Sequence, residues 1–251
     1  RVLADASDMT EEDWKALRHK SIGSSDTAAV RGMGRYGSPL ETWELKTGRR
    51  TFEQNFAMGL GHLMEPIILD LAADELSMTI EKPNLVLAHP DHPEMTCNLD
   101  GLGSNPYGEV AIIEAKHAGS YLKRQLETWD EMGAPDKGTA VEAWWVQIQQ
   151  QLAVTGIEQG YLAALCDKRL FIIPVPRQPS FIDMMETLIP EWHKRHIEGG
   201  EQPEFTGNDA GAVERMFPST DLEAEDVDMG PVAEAIEKAK QLKQSMRSLK
   251  E

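Results

Sequence analysis

The stretch Asn98-Leu99-Asp100-Gly101-Leu102, followed by Val110-Ala111-Ile112-Ile113-Glu114-Ala115-Lys116, decides how this chain is read. Both segments have the composition of strands, and Ser104-Asn105-Pro106-Tyr107-Gly108 between them has that of a turn. Side chains alternate faces along a strand, so Glu114 and Lys116 share one face while Ile113 and Ala115 point to the other. Pairing across the turn would bring Asp100 beside Glu114. An Asp-Gly pair is common in turns, and a Glu-x-Lys pair often lies on a solvated strand face. Here, however, the apolar run from Val110 to Ile113 leads straight into Glu114 and Lys116, and charges in a buried strand need a reason. Two carboxylates supply hard oxygen ligands suited to Mg2+, and a lysine two residues from one of them can orient an attacking water. That is the composition of a metal-dependent phosphodiesterase site.

Strand signals extend outward from this pair. Asn84 to His89 and Thr96 to Gly103 read as strands, and Gly160–Cys166 with Leu170–Val175 reads as a hairpin across Asp167-Lys168. Helices are predicted elsewhere. Thr10-Glu11-Glu12-Asp13 resembles a capping box, Ser24-Ser25-Asp26 reads as a cap for a helix ending near Gly32, and Ser38-Pro39 starts a third. A longer helix follows Gly59 and Gly61, with Leu63, Ile67, Ile68 and Leu71 at helical spacing. Further helices are expected at about Tyr121–Met132, Ala140–Thr155 and Ser180–His196. This order predicts an α/β or α+β domain with a central mixed sheet over residues 1–198. Residues 199–230 are acidic and rich in Gly and Pro, as in a linker or draped loop. From Pro231 to Glu251, Val232, Ile236, Ala239, Leu242, Met246 and Leu249 mark an amphipathic helical extension.

Composition narrows the function. Lys plus Arg is 25 against 42 Asp plus Glu, a net charge of −17, so a bulk electrostatic grip on nucleic acid is excluded and any DNA contact needs a local basic groove. Cys97 and Cys166 are far apart, which excludes a zinc ribbon or four-cysteine cluster and fits a reducing cytoplasm. No apolar run approaches the roughly 18 residues of a membrane span, and no leader is visible.

Other polar residues qualify as site candidates. Glu65 lies near the start of the long predicted helix, where a carboxylate suits the dipole and could be a third acid aimed at the metal. Gln147 and Gln151 share a stripe beside the apolar positions Ile148 and Leu152, where a glutamine could orient a water or phosphate. Arg18 with Ser24 and Ser25 suggests an anion pocket, although serine is also the default helix cap. Trp14, Trp43 and Trp129 read as packing residues, and His62 and His117 as neighbours of the acids.

In order and spacing, these segments resemble the lambda-exonuclease-like, YqaJ-type phage recombination nucleases of the PD-(D/E)XK superfamily. The resemblance runs from about Trp14 to Trp192. It is carried by Leu17-Arg18 with Ile22-Gly23-Ser24-Ser25-Asp26, by Gly34-Arg35-Tyr36-Gly37-Ser38-Pro39-Leu40 and Trp43, and by Gly61 with Glu65-Pro66. Leu99-Asp100-Gly101, Glu114-Ala115-Lys116, and Gln147-Ile148-Gln149 with Leu152-Ala153-Val154-Thr155-Gly156 complete it. Leu99 departs from the Pro or Ser often found before the site acid.

The resemblance implies a restriction-endonuclease-like core in which Asp100 and Glu114 bind Mg2+, with Mn2+ able to substitute. Lys116 would position the attacking water, Glu65 would assist as a ligand to a second ion or through water, and Gln147 would complete the site. Arg18 and Ser25, or Ser24, would hold a terminal 5′-phosphate. It further implies 5′-to-3′ digestion of double-stranded DNA ends, an annealing protein as partner, a bacterial cytoplasmic setting and no membrane. It also implies a ring trimer whose channel carries Arg18, Lys20, Arg31, Arg35, Lys123 and Arg124. An endonuclease or single-strand nuclease of the same fold, or a catalytically idle binding module, are the alternatives.

Overall fold

In the computed structural model the helix Ala140–Thr155 lies between two mixed sheets and packs against strands of both. Residues 1–33, 37–52, 54–207, 209, 212 and 215 are described. The five-stranded sheet has the order β3-β6-β7-β8-β9, formed by Thr79–Glu81, Gly101–Ser104, Val110–Ala118, Gln159–Cys166 and Arg169–Pro176. Its pairs are antiparallel except β7 with β8, whose parallel register runs from Ile112 opposite Gly160 to Ala118 opposite Cys166. A parallel pair needs a crossover, and α5 (Lys123–Met132) and α6 (Ala140–Thr155) supply it. The four-stranded sheet, β1-β4-β5-β2, joins Val2–Asp5, Leu85–Ala88, Met95–Cys97 and Ile22–Gly23.

The expected central mixed sheet is present, but the second sheet was not legible. Thr96–Gly103 was expected as one strand. It divides, with β5 in one sheet and β6 in the other, and Asn98-Leu99-Asp100 forms the passage between them. β1 and β2 are too short for a periodic signal, and both fall where only helices were expected.

α4 spans Phe56–Leu76, starting before Gly59 and continuing through Pro66. Asn55 caps it by accepting from the Met58 N–H at 3.0 Å. The predicted stripe is corrected here. Ile68, Leu69 and Ala72 are buried against β7 and β8, whereas Leu63, Ile67 and Leu71 are 72 %, 49 % and 41 % exposed. Apolar residues occur nearly all round this helix, so spacing alone did not identify the face that packs. α4 is also the one helix among the described residues long and apolar enough, by length and composition, to cross a membrane. It is not an unbroken apolar run, since Glu65, Asp70, Asp74 and Glu75 lie along it.

Opposite layers of core cover the two faces of the five-stranded sheet. Ala111, Ile113 and Ala115 of β7 pack with α4, while Ile112 and Ala118 join the larger core that includes Ile148, Leu152, Trp129 and Met185. Gly101 permits the α4 layer to approach β6. A Cβ there would lie 2.7 Å from Ile80 Cγ2 and 3.0 Å from Leu69 Cδ2.

The remaining helices are α1 (Glu11–His19), α2 (Thr27–Val30), α3 (Pro39–Lys46) and α7 (Pro179–Trp192), the last continuing as a π-helical turn through Glu198. Thr10 and Ser38 cap α1 and α3 as expected, accepting from the Asp13 and Glu41 N–H groups. Ser24 and Ser25 do not cap α2. Its cap residue is Asp26, which makes no side-chain capping bond and instead accepts from the Gly23 N–H at 3.0 Å. The compact unit runs Arg1–Ala212, and buried Asp209 accepts hydrogen bonds from Ser38 and Thr206. Of the expected linker and terminal helix, residues 216–251 lie outside the described residues.

Candidate active site

The register Gly101 opposite Ile113 places Asp100 at the level of Glu114, where β6 begins and β7 reaches its centre. Asp100 Oδ2 accepts from the Ala115 N–H at 3.0 Å, which fixes its carboxyl beside β7. Glu114 is fully buried on the α6 face of the sheet, the face it shares with Ile112 and Lys116. Its Oε1 accepts from Gln147 Nε2 at 2.6 Å and from Lys116 Nζ. Its Oε2 accepts from Gln151 Nε2 at 2.6 Å. A carboxylate this deep is tolerated because each oxygen has a donor.

Glu65 reaches the same region from α4, on the opposite face of the sheet. Its Oε1 is 2.5 Å from Lys82 Nζ, and its charge acts on both Asp100 and Lys116. The structure therefore brings together Asp100, Glu114, Lys116 and Gln147, with Glu65 at their edge. Glu65 does not close a three-donor cluster: among the described residues no group of three or more His, Cys, Asp or Glu side chains is poised to hold a metal.

The electrostatics are those of crowded acids. Burial, then the charge of Glu114, pushes the Asp100 carboxyl up to about 8, against the countervailing pull of Lys116 and the Ala115 N–H. Burial alone would lower the Lys116 ammonium, but Glu114 and Asp100 outweigh it and hold it above the usual lysine range. Fully buried Glu114 and half-buried Asp100 thus face one ammonium. Once Asp100 gives up its proton, two carboxylates this close fit a divalent cation of the Mg2+ type, which is satisfied by one or two carboxylates plus water and substrate oxygens. Asp100 and Glu114 are the residues that would hold it.

The expected anion pocket is only partly assembled. Arg18 lies with Nη2 3.6 Å from Asp26 Oδ1 and its guanidinium 4.8 Å over the Trp14 ring. Lys46 Nζ sits 2.5 Å from Asp26 Oδ2 and donates to the Arg18 carbonyl at 2.8 Å. Ser24 is buried and Ser25 exposed in the turn after β2. Because β2 and β5 are parallel, with Gly23 opposite Thr96, this turn leaves the four-stranded sheet at the same end as the Asn98–Asp100 passage. α2 has four residues, too short for a helix-terminus anion site. Arg35 lies outside the described residues. Of the other basic residues, Arg31 stacks 4.7 Å over Phe181, and Lys123 and Arg124 are exposed at the start of α5.

Sequence reasoning placed Gln151 on the right stripe without its partner, and missed Lys82 and Lys46. The signal for Gln151 was its four-residue spacing from Gln147, which sets both on one helix face. Lys82 and Lys46 sit in unrelated segments whose approach to Glu65 and Asp26 is set by tertiary packing alone.

The fold is shared with solved exonucleases. The alkaline exonuclease LHK-Exo of Laribacter hongkongensis aligns with a TM-score of 0.59 at 23% identity, covering 75% of this chain and 95% of that one, and has also been determined with dAMP. A phage-related exonuclease from Haemophilus somnus 129PT aligns with a TM-score of 0.54 at 13% identity, covering 75% and 100%. YqaJ of Bacillus subtilis (strain 168) is 29% identical over 214 residues, 83% of this chain, and the chain spans 63% of that protein's length. Residues 13–158 match the YqaJ-like viral recombinase domain, and the chain belongs to that family.

Proposed function

We propose that this chain is a Mg2+-dependent nuclease that digests double-stranded DNA from its ends, in the 5′-to-3′ direction, during phage-type recombination. The observation that carries the proposal is the cluster of half-buried Asp100, Lys116 and Gln147 around fully buried Glu114 at the junction of β6, β7 and α6. The family and the exonuclease fold support it, as does the deoxynucleotide bound by LHK-Exo.

Each residue has a role that follows from its surroundings. When bound between Asp100 and Glu114, Mg2+ would supply Lewis-acid stabilisation of charge on the scissile phosphate. Lys116, held at Glu114 Oε1, orients the attacking water and balances the negative charge that grows on phosphorus oxygens during attack. Gln147 fixes Glu114 from α6. Arg18, which pairs with Asp26 next to Ser24 and Ser25 in the chain, would meet a terminal phosphate. The product would be a 3′ single-stranded overhang for an annealing protein. A ring of copies in the host cytoplasm would present Arg18, Lys20, Arg31, Arg35, Lys123 and Arg124 to DNA while the remaining surface stays acidic.

The test is release of nucleotides from linear duplex DNA with Mg2+ and none with chelator. Cutting of a closed circle would move the chain to the endonuclease alternative, and DNA binding without hydrolysis would leave a binding module.

A further inference from the structure

Helix α6 carries three consecutive glutamines, Gln149, Gln150 and Gln151, and all three are fully buried. Each stitches the helix to a different part of the fold. Gln149 donates to the Pro176 carbonyl at 2.9 Å and accepts from the Gln178 N–H at 2.9 Å. Gln150 donates to the Ile22 and Thr96 carbonyls, both at 2.9 Å, and accepts from Thr27 Oγ1. These two amides are satisfied at both ends, as buried amides normally are.

Gln151 is different. Its Nε2 donates to Glu114 Oε2 at 2.6 Å and to the Asn98 carbonyl at 3.3 Å, but its Oε1 is buried with no hydrogen-bond partner. Turning the amide over does not help. Both groups facing Nε2 are acceptors, one of them a carboxylate, so the reversed amide would set oxygen against oxygen. The fold therefore tolerates an orphaned acceptor for the sake of two donated bonds.

Those bonds have a specific geometry. One ends on the acid at the centre of β7. The other ends on Asn98, two residues before Asp100, in the passage by which the chain leaves one sheet for the other. We infer that Gln151 is a positioning residue for the metal-binding acids: one amide ties the Glu114 carboxylate to the segment that presents Asp100. It fixes the rotation of the carboxylate through Oε2 while Gln147 and Lys116 address Oε1. An amide bridge between the two ligand-bearing segments holds their separation, which sets metal affinity. The inference rests on the proposed metal-dependent reading.

The test measures Mn2+ binding directly, by calorimetry or electron paramagnetic resonance, on the full chain without DNA. Wild type, Gln151→Met and Gln149→Met are compared, with thermal melting alongside. Gln149→Met is the matched lesion, since it removes an equally buried glutamine that touches neither acid. The expected result is binding by wild type, roughly 10–100-fold weaker binding by Gln151→Met, and unchanged affinity in Gln149→Met whatever its melting temperature. Equal affinity in Gln151→Met and wild type overturns the inference, as does an equal loss in both variants. A wild type that binds no Mn2+ overturns the metal-dependent reading itself. If Gln151→Met does not fold, a Mn2+-bound structure of wild type decides: Gln151 Nε2 still on both Glu114 Oε2 and the Asn98 carbonyl supports the inference, and release of either one overturns it.

Discussion

The proposed metal binding by Asp100 and Glu114 should be pH-dependent, because the Asp100 carboxyl is held above the usual aspartate range. Burial, then Glu114, pushes Asp100 up to about 8. An ion that requires the carboxylate must displace that proton, so its apparent affinity follows the ionised fraction of Asp100. With the carboxyl near 8, most of it is protonated at pH 6 and most of it ionised by pH 9, so affinity falls by about one to two decades from pH 9 to pH 6. The slope is close to one decade per pH unit below pH 8, with about one proton released per ion bound. Stability of the metal-free protein runs the other way. A carboxyl raised on folding favours the folded state fully below the usual aspartate range of about 4, and that contribution is lost as pH rises through about 8. Mg2+ should therefore add more to the melting temperature at pH 8 than at pH 6. Calorimetric titration of Mn2+ or Mg2+ in buffers of differing ionisation enthalpy reads both affinity and proton release. Affinity that stays flat between pH 6 and pH 8, with no proton released, refutes this account of Asp100.

Further predictions follow from other contacts. Lys116→Ala should remain folded and lose roughly 10²–10⁴ in turnover, measured by single-turnover hydrolysis. Lys46→Met leaves Asp26 without its buried partner (the two side chains are 5% and 17% exposed), and should cost about 3–5 kcal/mol in denaturant unfolding. Gly101→Ala drives a Cβ to 2.7 Å from Ile80 and should cost about 1–3 kcal/mol, partly recovered by adding Ile80→Ala. Arg18→Ala should weaken the preference for 5′-phosphorylated over 5′-hydroxyl ends about tenfold, read as a change in KM, with kcat on saturating DNA little altered.

What the sequence revealed depended on where the determining physics lay. The Asp100–Glu114 pairing was legible because a strand alternates and a short turn sets the register, both local facts. Gln147 and Gln151 were legible as a stripe because a helix repeats every 3.6 residues. The four-stranded sheet was not, because β1, β2 and β5 have two to four residues each and owe their pairing to distant segments. Ser24 and Ser25 misled because Asp26, next in the chain, takes the Gly23 N–H and the charges of Lys46 and Arg18. The packed face of α4 was misjudged because Leu63, Ile67 and Leu71 are as apolar as Ile68, Leu69 and Ala72, and only the shape of the sheet decides between them.

The most direct test of the central claim uses linear duplex DNA labelled at one 5′ end beside a closed circle, with Mg2+ or chelator, for wild type and Lys116→Ala. The account predicts Mg2+-dependent release of the label from linear DNA as mononucleotide, an intact circle and an inactive variant. Undegraded linear DNA in the presence of Mg2+, or a Lys116→Ala chain as active as wild type, would contradict it.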